Sequence, residues 1–367
     1  MADIVINLCG DFVSTEPNII KMSSELASLL RGGDINVVNF EAPLDGIGDQ
    51  TLRSGPKLCQ PKESFFFLRD NGFNLYQLAN NHAVDFGEEA CIGTKHQLSE
   101  TVGAGTEEDA YTPYIKEING IRIGFLSFTH HEFGVFDDGG GKQKYGTAWI
   151  CGSKVYNAIV TTKTNVDYLI VLPHAGVEQV DVPLPEWRSL YRSFIDLGVD
   201  AIIGTHPHVP QGWELYNNKP IFYSLGNFYF DAIMPKDEWW YKGLMIALTV
   251  NKDSIHFKVN NTIFHKGYID IDKTPLATQH NEYLCELLEE PLYTNAVNKM
   301  VLEKWEELKV YYVRGLGSIS FRLSPLEFLK SIYCSLFRKP AASLFINALQ
   351  CESHRYVALR AQKLLNE

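Results

Sequence analysis

The chain has 367 residues, 45% hydrophobic and 21% charged, which is typical of a folded protein with ample material for a core. Its net charge of −11 at pH 7 argues against nucleic-acid binding, because phosphates would be repelled. Seven cysteines without CxxC pairing indicate reduced thiols and a cytoplasmic location. The absence of a basic leader, a cleavage site or a membrane-length apolar run favours the same expectation.

Predicted strands and helices alternate over roughly the first 270 residues, which is typical of a layered α/β domain. Pro17 opens an apolar-periodic segment that reaches Leu30 before Gly32-Gly33, so we predict a helix there. Further helices are predicted at 62–71, 88–101 and 185–197, strands at 4–8, 35–40, 73–79, 121–128, 168–172, 199–203 and 221–224, and a hairpin at 244–250 and 255–263. The Gly-rich stretch 131–147 is predicted to be a mobile loop near the active face.

The pattern becomes helical after about Thr274, with apolar residues at three- and four-residue spacing over 280–312 and 323–364. We therefore divide the chain into a domain at 1–270 and a helical C-terminal extension at 271–367. Basic residues outnumber acidic ones between Arg314 and Lys363. The preferred interpretation is a cap packed on the main domain. The alternative is a docking surface for an acidic protein or a membrane surface, which would make the protein peripheral to the membrane.

Several predicted strands end in residues that bind divalent metals or move protons. These strand ends carry Asp11, Glu41, Asn80-Asn81-His82, His174 and His206-Pro207-His208. In an open α/β sheet, ligands collect outside the carboxyl ends of the strands. We therefore expect these distant parts of the chain to form one metal site.

The His206-Pro207-His208 segment follows a buried strand. A single histidine there would be a hydrogen-bonded core residue, but two histidines held by the fixed φ of Pro207 indicate preorganised imidazole ligands. Asp11 and Glu41, taken singly, would be turn or cap carboxylates. Together they supply the negative charge of a metal site, and either can bridge two ions about 3.5–4 Å apart.

Asn80-Asn81-His82 offers both a ligand and a proton donor. The simplest interpretation of Asn80 is that it forms a turn. The alternative is a metal ligand, because an amide oxygen is a hard, neutral ligand for a divalent ion. His82 can act as a general acid or stabilise charge. Asp85 either orients His82 or caps the helix that is predicted to begin near Glu88.

Two further polar residues are expected beside the site. Glu178 either holds the His174 ring in one tautomer or is a surface carboxylate. Asn227, in a tight turn, is expected to bond substrate or to brace the His206 loop. His130 and His131 follow the strand at 121–128. Because adjacent residues point in different directions, we expect at most one of them to reach the site, and we place neither in the metal shell.

The ordered motifs resemble one known family. They are Gly10-Asp11, Asn39-Phe40-Glu41, Ala79-Asn80-Asn81-His82 with Asp85 and Gly87, Gly103-Ala104-Gly105, Pro113, His174-Ala175-Gly176-Val177-Glu178, Gly204-Thr205-His206-Pro207-His208 with Gln211-Gly212, and Tyr223-Ser224-Leu225-Gly226-Asn227-Phe228. Over residues 3–265 the chain resembles the bacterial capsule synthesis (CapA-like) family, which is linked to poly-gamma-glutamate capsule production. That family is similar to the calcineurin-like metallophosphoesterases.

The resemblance implies a four-layer α/β/β/α sandwich of the metallophosphoesterase type, with a two-metal centre. By position, the implied ligands are Asp11, Glu41, Asn81, His174, His206 and His208. Glu41 would stand at the bridging position, and His82 would protonate a leaving oxygen. The phosphoesterase pattern has a histidine two residues after its first aspartate, where this chain has Val13, so one ion would have a ligand fewer.

The leading hypothesis is a metal-dependent hydrolase in which a metal-activated water attacks a phosphoester or an amide of a gamma-linked glutamate polymer. The expected cofactors are two divalent ions, Mn²⁺, Fe, Zn²⁺ or Mg²⁺, and the expected substrate is an anionic small molecule or polymer. The alternative is a non-catalytic accessory or scaffold subunit of envelope polymer synthesis or export. A third hypothesis is a small-molecule phosphatase of another pathway.

Overall fold

The computed structural model describes residues 3–233, 238–315, 324–337 and 342–366. The strands within these ranges are β1 (Ile4–Val13), β2 (Lys21–Met22), β3 (Ile35–Phe40), β4 (Leu75–Gln77), β5 (Thr101–Val102), β6 (Ala104–Gly105), β7 (Tyr114–Ile118), β8 (Ile121–Thr129), β9 (Gly146–Thr147), β10 (Tyr168–His174), β11 (Ala201–Ile203), β12 (Trp213–Tyr216), β13 (Lys219–Phe222), β14 (Asn227–Phe230), β15 (Lys242–Val250), β16 (Ile255–His265) and β17 (Tyr268–Ile271). The helices are α1 (Ser24–Arg31), α2 (Lys62–Asp70), α3 (Glu88–Gln97), α4 (Glu107–Tyr111), α5 (Lys154–Lys163), α6 (Pro185–Asp196), α7 (Pro275–Glu286), α8 (Leu292–Gly315), α9 (Pro325–Phe337), α10 (Ala342–Gln350) and α11 (Glu352–Asn366).

Two sheets form the centre of the molecule. The first has the order β2-β17-β16-β15-β1-β3-β4-β5, with β14 paired to the end of β1, and the second has the order β12-β13-β11-β10-β8-β7. The strands that carry the predicted site residues are parallel neighbours, β1 with β3 and β4 in the first sheet and β10 with β11 in the second. Their carboxyl ends therefore lie along one edge of each sheet.

Side-chain alternation along the strands builds the layers. In β3, Ile35 and Val37 face the second sheet, whereas Val38 and Phe40 face the helices, because successive side chains point to opposite faces. The first sheet packs against α1, α2 and α3 on its outer face, and the second packs against α5, α6 and C-terminal helices. The predicted four-layer α/β/β/α sandwich with a C-terminal helical extension is confirmed.

The predicted helix from Pro17 to Leu30 is wrong in its first half. A 3-10 turn at Pro17–Ile19 is followed by β2, which pairs in parallel with β17. The α-helix begins only after Ser23, whose hydroxyl accepts a hydrogen bond from Leu26 N (3.2 Å) and so caps the first turn. The predicted hairpin is confirmed by the antiparallel pairing of β15 with β16.

Each of the predicted helical segments, 280–312 and 323–364, contains more than one helix in the structure. α7 ends at Glu286 and α8 begins at Leu292, directly after Pro291, whose lack of an N–H group is unfavourable within a helix. The second segment contains α9, α10 and α11. Residues 316–323 and 338–341, which contain several of the basic residues between Arg314 and Lys363, lie outside the described residues.

The C-terminal helices pack on the outer face of the second sheet's helix layer. Leu308 of α8 and Val357 of α11 share an apolar cluster with Trp187 of α6. Polar contacts join the same surfaces, because Trp187 Nε1–H donates to Ser353 Oγ (3.1 Å) and Trp149 Nε1–H donates to Glu352 Oε1 (2.6 Å). The division at residue 270 stays a prediction. Among the described helices, none combines the length and apolar character needed to cross a bilayer.

Gly10 allows the backbone of β1 to lie against the turn before β14. A Cβ atom at Gly10 would lie 1.8 Å from Gly226 O, the oxygen that accepts the Asp11 N–H hydrogen bond (3.0 Å). We expect Gly10→Ala to lower the free energy of unfolding by about 1–3 kcal/mol, as overpacking does, and urea unfolding measures this. Gly32→Ala is the control, since its Cβ would meet nothing closer than 3.5 Å. Equal stability of the two variants would contradict the close approach.

Candidate metal centre

The structure brings all six predicted ligands to one buried place. Each has at most 3% of its surface exposed: Asp11, Glu41, Asn81, His174, His206 and His208. They come from the ends of β1, β3 and β10 and from the segments that follow β4 and β11. The predicted convergence of distant loops is therefore present in the fold. Metal ligation by these residues stays a prediction.

The carboxylate of Glu41 lies at the centre of this cluster. Its Oε1 atom is buried and has no hydrogen-bond partner. His174 Nε2 lies 3.6 Å from this oxygen, His208 Nε2 lies 3.7 Å from it, and His82 Nε2 lies 4.0 Å from it. Unsatisfied buried acceptors are rare in folded proteins, and this one faces three imidazole nitrogens at distances that leave room for a cation. The donor set of nitrogen and oxygen atoms fits a divalent transition metal.

Asn39 was missed as a site residue, although it belongs to the Asn39-Phe40-Glu41 motif. Its Nδ2 donates to Asp11 Oδ1 (2.7 Å) and Glu41 Oε2 (3.3 Å) and lies 3.1 Å from His174 Nδ1. One amide thus fixes the orientation of three predicted ligands. The signal in the sequence was its place one residue before the last residue of a buried strand.

The two histidines after β11 adopt an unusual backbone. His206 has φ 99° and His208 has φ 60°, on either side of Pro207. Residues other than glycine rarely adopt positive φ, and such strain concentrates at functional sites. Asn227 holds the second histidine, because its Oδ1 lies 3.0 Å from His208 Nδ1 and its Nδ2 donates to His208 O (3.1 Å). Of its two expected roles, the structure supports bracing of the His206 loop.

Glu178 does not contact His174, so the expectation that it holds that ring is wrong. The His174 Nδ1 atom instead lies 3.0 Å from Thr205 Oγ1. Glu178 is exposed, and its carboxylate lies close to ring nitrogens of His206 and His208. The ring nitrogens of His174 already have other partners, Asn39 and Thr205 at Nδ1 and Asn81 at Nε2.

His82 is held by a carboxylate. Asp85 Oδ2 lies 2.7 Å from His82 Nδ1 and also accepts the Leu58 N–H (2.7 Å). Arg53 Nη2 lies 2.8 Å from the same Nδ1 atom, and the Nε2 atom of His82 faces the centre. The alternative role for Asp85 as a helix cap is wrong, because the residue that precedes α3 is Gly87. Arg53, which sequence reasoning missed, forms an ion pair with Asp85.

Charges within the cluster respond to burial and to each other. Burial, together with the charge of Asp11, raises the pKa of Glu41 well above its usual value. Burial alone would lower the pKa of His208, but the carboxyls of Glu41 and Asp11 raise it to about 10. Burial lowers the pKa of His174 to about 3. The two groups are linked, because the carboxylate charge that raises the pKa of His208 is lost when Glu41 is protonated.

Metal binding is expected to release a proton from this cluster. Glu41 and His208 must be deprotonated to act as ligands, and the pKa of each is raised. Metal affinity should therefore fall as the pH falls, and His208, whose pKa is raised to about 10, should release one proton when the first ion binds. Calorimetric titration with Mn²⁺ in buffers of different ionisation enthalpy measures the number released. Binding without proton release would contradict this assignment.

One of the two histidines left out of the metal shell lies close to it. The rings of His130 and His206 have centroids 4.3 Å apart, so His130 does reach this face. His131 turns away and packs on Trp149, with ring centroids 5.3 Å apart. This agrees with the expectation that at most one of the two histidines reaches the site. Val13 is fully buried in the apolar cluster between the first sheet and its helices.

A cavity of about 560 Å³ opens onto the centre. Its lining includes Arg53, Asn81, His82, His206 and His208 on the side of the α/β core. The opposite wall comes from the C-terminal helices, through Lys304, Leu308, Tyr311, Ala348, Cys351 and His354. Three helices of the extension therefore shape the approach to the candidate centre.

Two sheets packed face to face between helices, with buried carboxylate, amide and imidazole groups at the strand ends, define an α/β/β/α protein with a candidate metal centre. The family model of bacterial capsule synthesis protein PGA_cap matches residues 6–232. The chain belongs to this family, as the motifs predicted.

Named relatives agree with this assignment. The capsule biosynthesis protein CapA of Bacillus anthracis is 32% identical over 216 residues, which are 55% of this chain and 52% of that protein. The PGA biosynthesis protein CapA of Bacillus subtilis (strain 168) is 30% identical over 246 residues, 63% of this chain and 62% of that protein. The chain thus matches between about half and three-fifths of the length of these relatives.

The crystal structure of the calcineurin-like phosphoesterase YfkN from Bacillus subtilis shares 14% identity and a TM-score of 0.41, covering 78% of this chain and 98% of that one.

Proposed function

We propose that the protein is a metal-dependent hydrolase that acts on a phosphoester or amide bond during the synthesis of a capsule polymer such as poly-gamma-glutamate. The observation that carries the proposal is the buried, unpartnered Glu41 Oε1, which faces imidazole nitrogens of His174 and His208 at 3.6 and 3.7 Å. A purely structural carboxyl would be expected to have a hydrogen-bond donor on that oxygen.

The residues that would hold divalent ions are Asp11, Glu41, Asn81, His174, His206 and His208. When bound, such ions polarise the scissile group and lower the pKa of water, which is the chemistry that hydrolysis at neutral pH needs. Mn²⁺, Fe, Zn²⁺ and Mg²⁺ are the candidates, and the mixed nitrogen and oxygen ligands favour the transition metals. We propose two ions, with Glu41 between them.

His82 would supply the proton to the leaving group. Its Nε2 faces the centre at 4.0 Å from Glu41 Oε1, while its Nδ1 is held by Asp85 at 2.7 Å. Arg53, ion-paired with Asp85, helps to hold that carboxylate in place. The chain thus provides an oriented general acid beside the ligand cluster, in the manner of a carboxylate–histidine pair.

The substrate would be an anionic small molecule or one end of an anionic polymer. The cavity volume of about 560 Å³ falls within the about 300–1,000 Å³ of ordinary ligand pockets. Arg53 and Lys304 line it together with Glu132, Glu178 and Glu307, so bound divalent ions would supply the positive charge that attracts an anion. The printed name of the Bacillus subtilis relative, a PGA biosynthesis protein, makes gamma-linked glutamate the first polymer to test.

The test is to purify the full chain, measure bound metal, and screen phosphomonoesters, phosphodiesters and poly-gamma-glutamate with each candidate ion. We expect stoichiometric metal and turnover of one substrate class, with both lost in His206→Ala. Absence of turnover with every metal and every substrate class would overturn the hydrolase proposal.

A second candidate function is a non-catalytic accessory subunit of polymer synthesis or export. It is favoured by Val13, which lies in the apolar core at the position where the phosphoesterase pattern has a histidine. An accessory role would be supported if the protein binds an envelope-polymer protein or anionic vesicles through the C-terminal helices but holds no stoichiometric metal. For this second candidate function, we propose that the protein is located in the cytoplasm at the membrane surface.

A further inference from the structure

A second group of metal-binding side chains lies where the α/β core meets the C-terminal helices. It consists of His130 and Glu132, just after β8, and Cys351, directly before α11. Each offers one ligand atom, and these three atoms lie within 4.8 Å of one another. All three residues line the cavity beside the cluster around Glu41.

The hydrogen bonding of this group is incomplete. His130 is 1% exposed, and its Nε2 atom is buried without a partner, while its Nδ1 lies 3.4 Å from Ser353 Oγ. Glu132 Oε2 accepts a hydrogen bond from Asn81 Nδ2 (2.9 Å). A buried imidazole nitrogen without a partner is uncommon and calls for an explanation such as an ion.

The donor types of the group also favour a cation. An imidazole nitrogen, a carboxylate oxygen and a thiol sulfur lie together, and His130 and Cys351 are both buried. Each of these atoms can bind a transition-metal ion, and a bound cation would stabilise the carboxylate and the thiolate as anions.

Burial alone does not account for the position of Cys351. Cys9 and Cys91 are also buried thiols, but both belong to the apolar cluster of the first sheet, where a thiol packs as a small hydrophobe. Cys351 instead has an imidazole and a carboxylate beside it. His354, three residues further along the same helix, lines the same cavity.

We propose that His130, Glu132 and Cys351 bind one zinc-type transition-metal ion, separate from the centre around Glu41. Nitrogen, oxygen and thiolate ligands together suit Zn²⁺, whose tetrahedral ligand atoms lie about 3.3–3.8 Å apart. The three atoms within 4.8 Å need only small side-chain movements to reach this spacing. Binding replaces the thiol proton, which passes to solvent, and leaves the fourth position for His354 or a group in the cavity.

This site would join the extension to the reaction cavity. Asn81 connects the two groups, because its Nδ2 bonds Glu132 and its Oδ1 lies 3.1 Å from His174 Nε2. An ion on Cys351 would therefore hold α11 against the segment that carries a predicted ligand of the other centre. The inference does not depend on hydrolase activity, since it concerns binding alone.

Cobalt substitution distinguishes the two sites. The full chain is stripped of metal under reducing, oxygen-free conditions and titrated with Co²⁺ while absorbance is recorded. Thiolate bound to Co²⁺ gives a near-ultraviolet charge-transfer band, which the centre around Glu41 does not produce because it offers only nitrogen and oxygen. We expect this band to saturate at one Co²⁺ per chain. It should vanish in Cys351→Ser and persist in Cys91→Ser, the control at a matched buried thiol.

Glu132→Gln should raise the Co²⁺ concentration needed for the band at least about tenfold. A second measurement needs no variant: zinc-edge X-ray absorption of the zinc-loaded protein should show sulfur at about 2.3 Å. The proposal is overturned if wild-type protein saturated with Co²⁺ lacks the charge-transfer band, if the band survives in Cys351→Ser, or if zinc has only nitrogen and oxygen neighbours. Visible cobalt bands without the charge-transfer band would show that Co²⁺ binds only at the centre around Glu41.

Discussion

Replacing Glu41 with glutamine is expected to remove most of the bound metal from the centre, and hydrolase activity with it. Glutamine has the same shape but no negative charge for an ion that lies among Glu41 Oε1, His174 and His208. Loss of a residue that only orients a ligand lowers metal affinity about 10–100-fold, so loss of a ligand should lower it at least about 100-fold. Metal analysis after dialysis and calorimetric titration measure the change.

The metal-free Glu41→Gln protein gives the decisive control. Burial and the charge of Asp11 raise the pKa of Glu41, which favours the neutral acid in the absence of an ion, and glutamine is a neutral amide of the same shape. We expect metal-free variant and wild type to unfold at similar urea concentrations, whereas added metal should stabilise the wild type alone. Glu117→Gln, at an exposed position on β7, should leave metal binding unchanged. Full metal affinity in Glu41→Gln would contradict the proposed centre.

Replacing His82 with alanine is expected to lower kcat about 10²–10⁴-fold on substrates with poor leaving groups. The reason is that Nε2 of this ring faces the centre while Asp85 holds Nδ1 at 2.7 Å. Turnover of 4-nitrophenyl phosphate should change far less, because nitrophenolate leaves without a proton. Comparing alkyl and nitrophenyl phosphates in the same preparation measures this difference.

Three comparisons make the His82 result specific. Metal content should be unchanged in His82→Ala, since its role is proton transfer. Asp85→Asn should give a smaller loss with the same dependence on the leaving group, because the ring keeps its place but loses its charged partner. His256→Ala, at an exposed position on β16, should behave as wild type. An equal loss on both kinds of leaving group would show that His82 does not act as the acid.

Much of the fold could be predicted because it depends on local patterns. β3 is buried on both faces, and its run of apolar residues identifies it without knowledge of its neighbours. The error at Pro17–Leu30 arose where a distant partner decides the structure. Lys21 and Met22 pair with Tyr268 and Ile269, and no pattern within residues 17–30 reports that contact.

The candidate site shows the same division between local and distant information. Asp11 and His174 could be placed because each ends a buried strand, and parallel strands deliver their carboxyl ends to one edge. Arg53 and Glu132 could not, because each lies in an irregular segment and its partners, Asp85 and Asn81, are set by tertiary packing. The strained backbone of His206 and His208 was also beyond local reasoning, which identified only the fixed φ of Pro207.

The cavity has one wall from the α/β core and another from α8, α10 and α11, whereas the family match ends at residue 232. Under the proposed function, the residues that react and the residues that select a substrate would thus be encoded in different stretches of the same gene. Relatives that keep the first stretch and exchange the second would then be expected to carry out one kind of step on molecules of different size. On this proposal, diversity of substrates would arise from the tail alone, without any substitution among the candidate metal ligands.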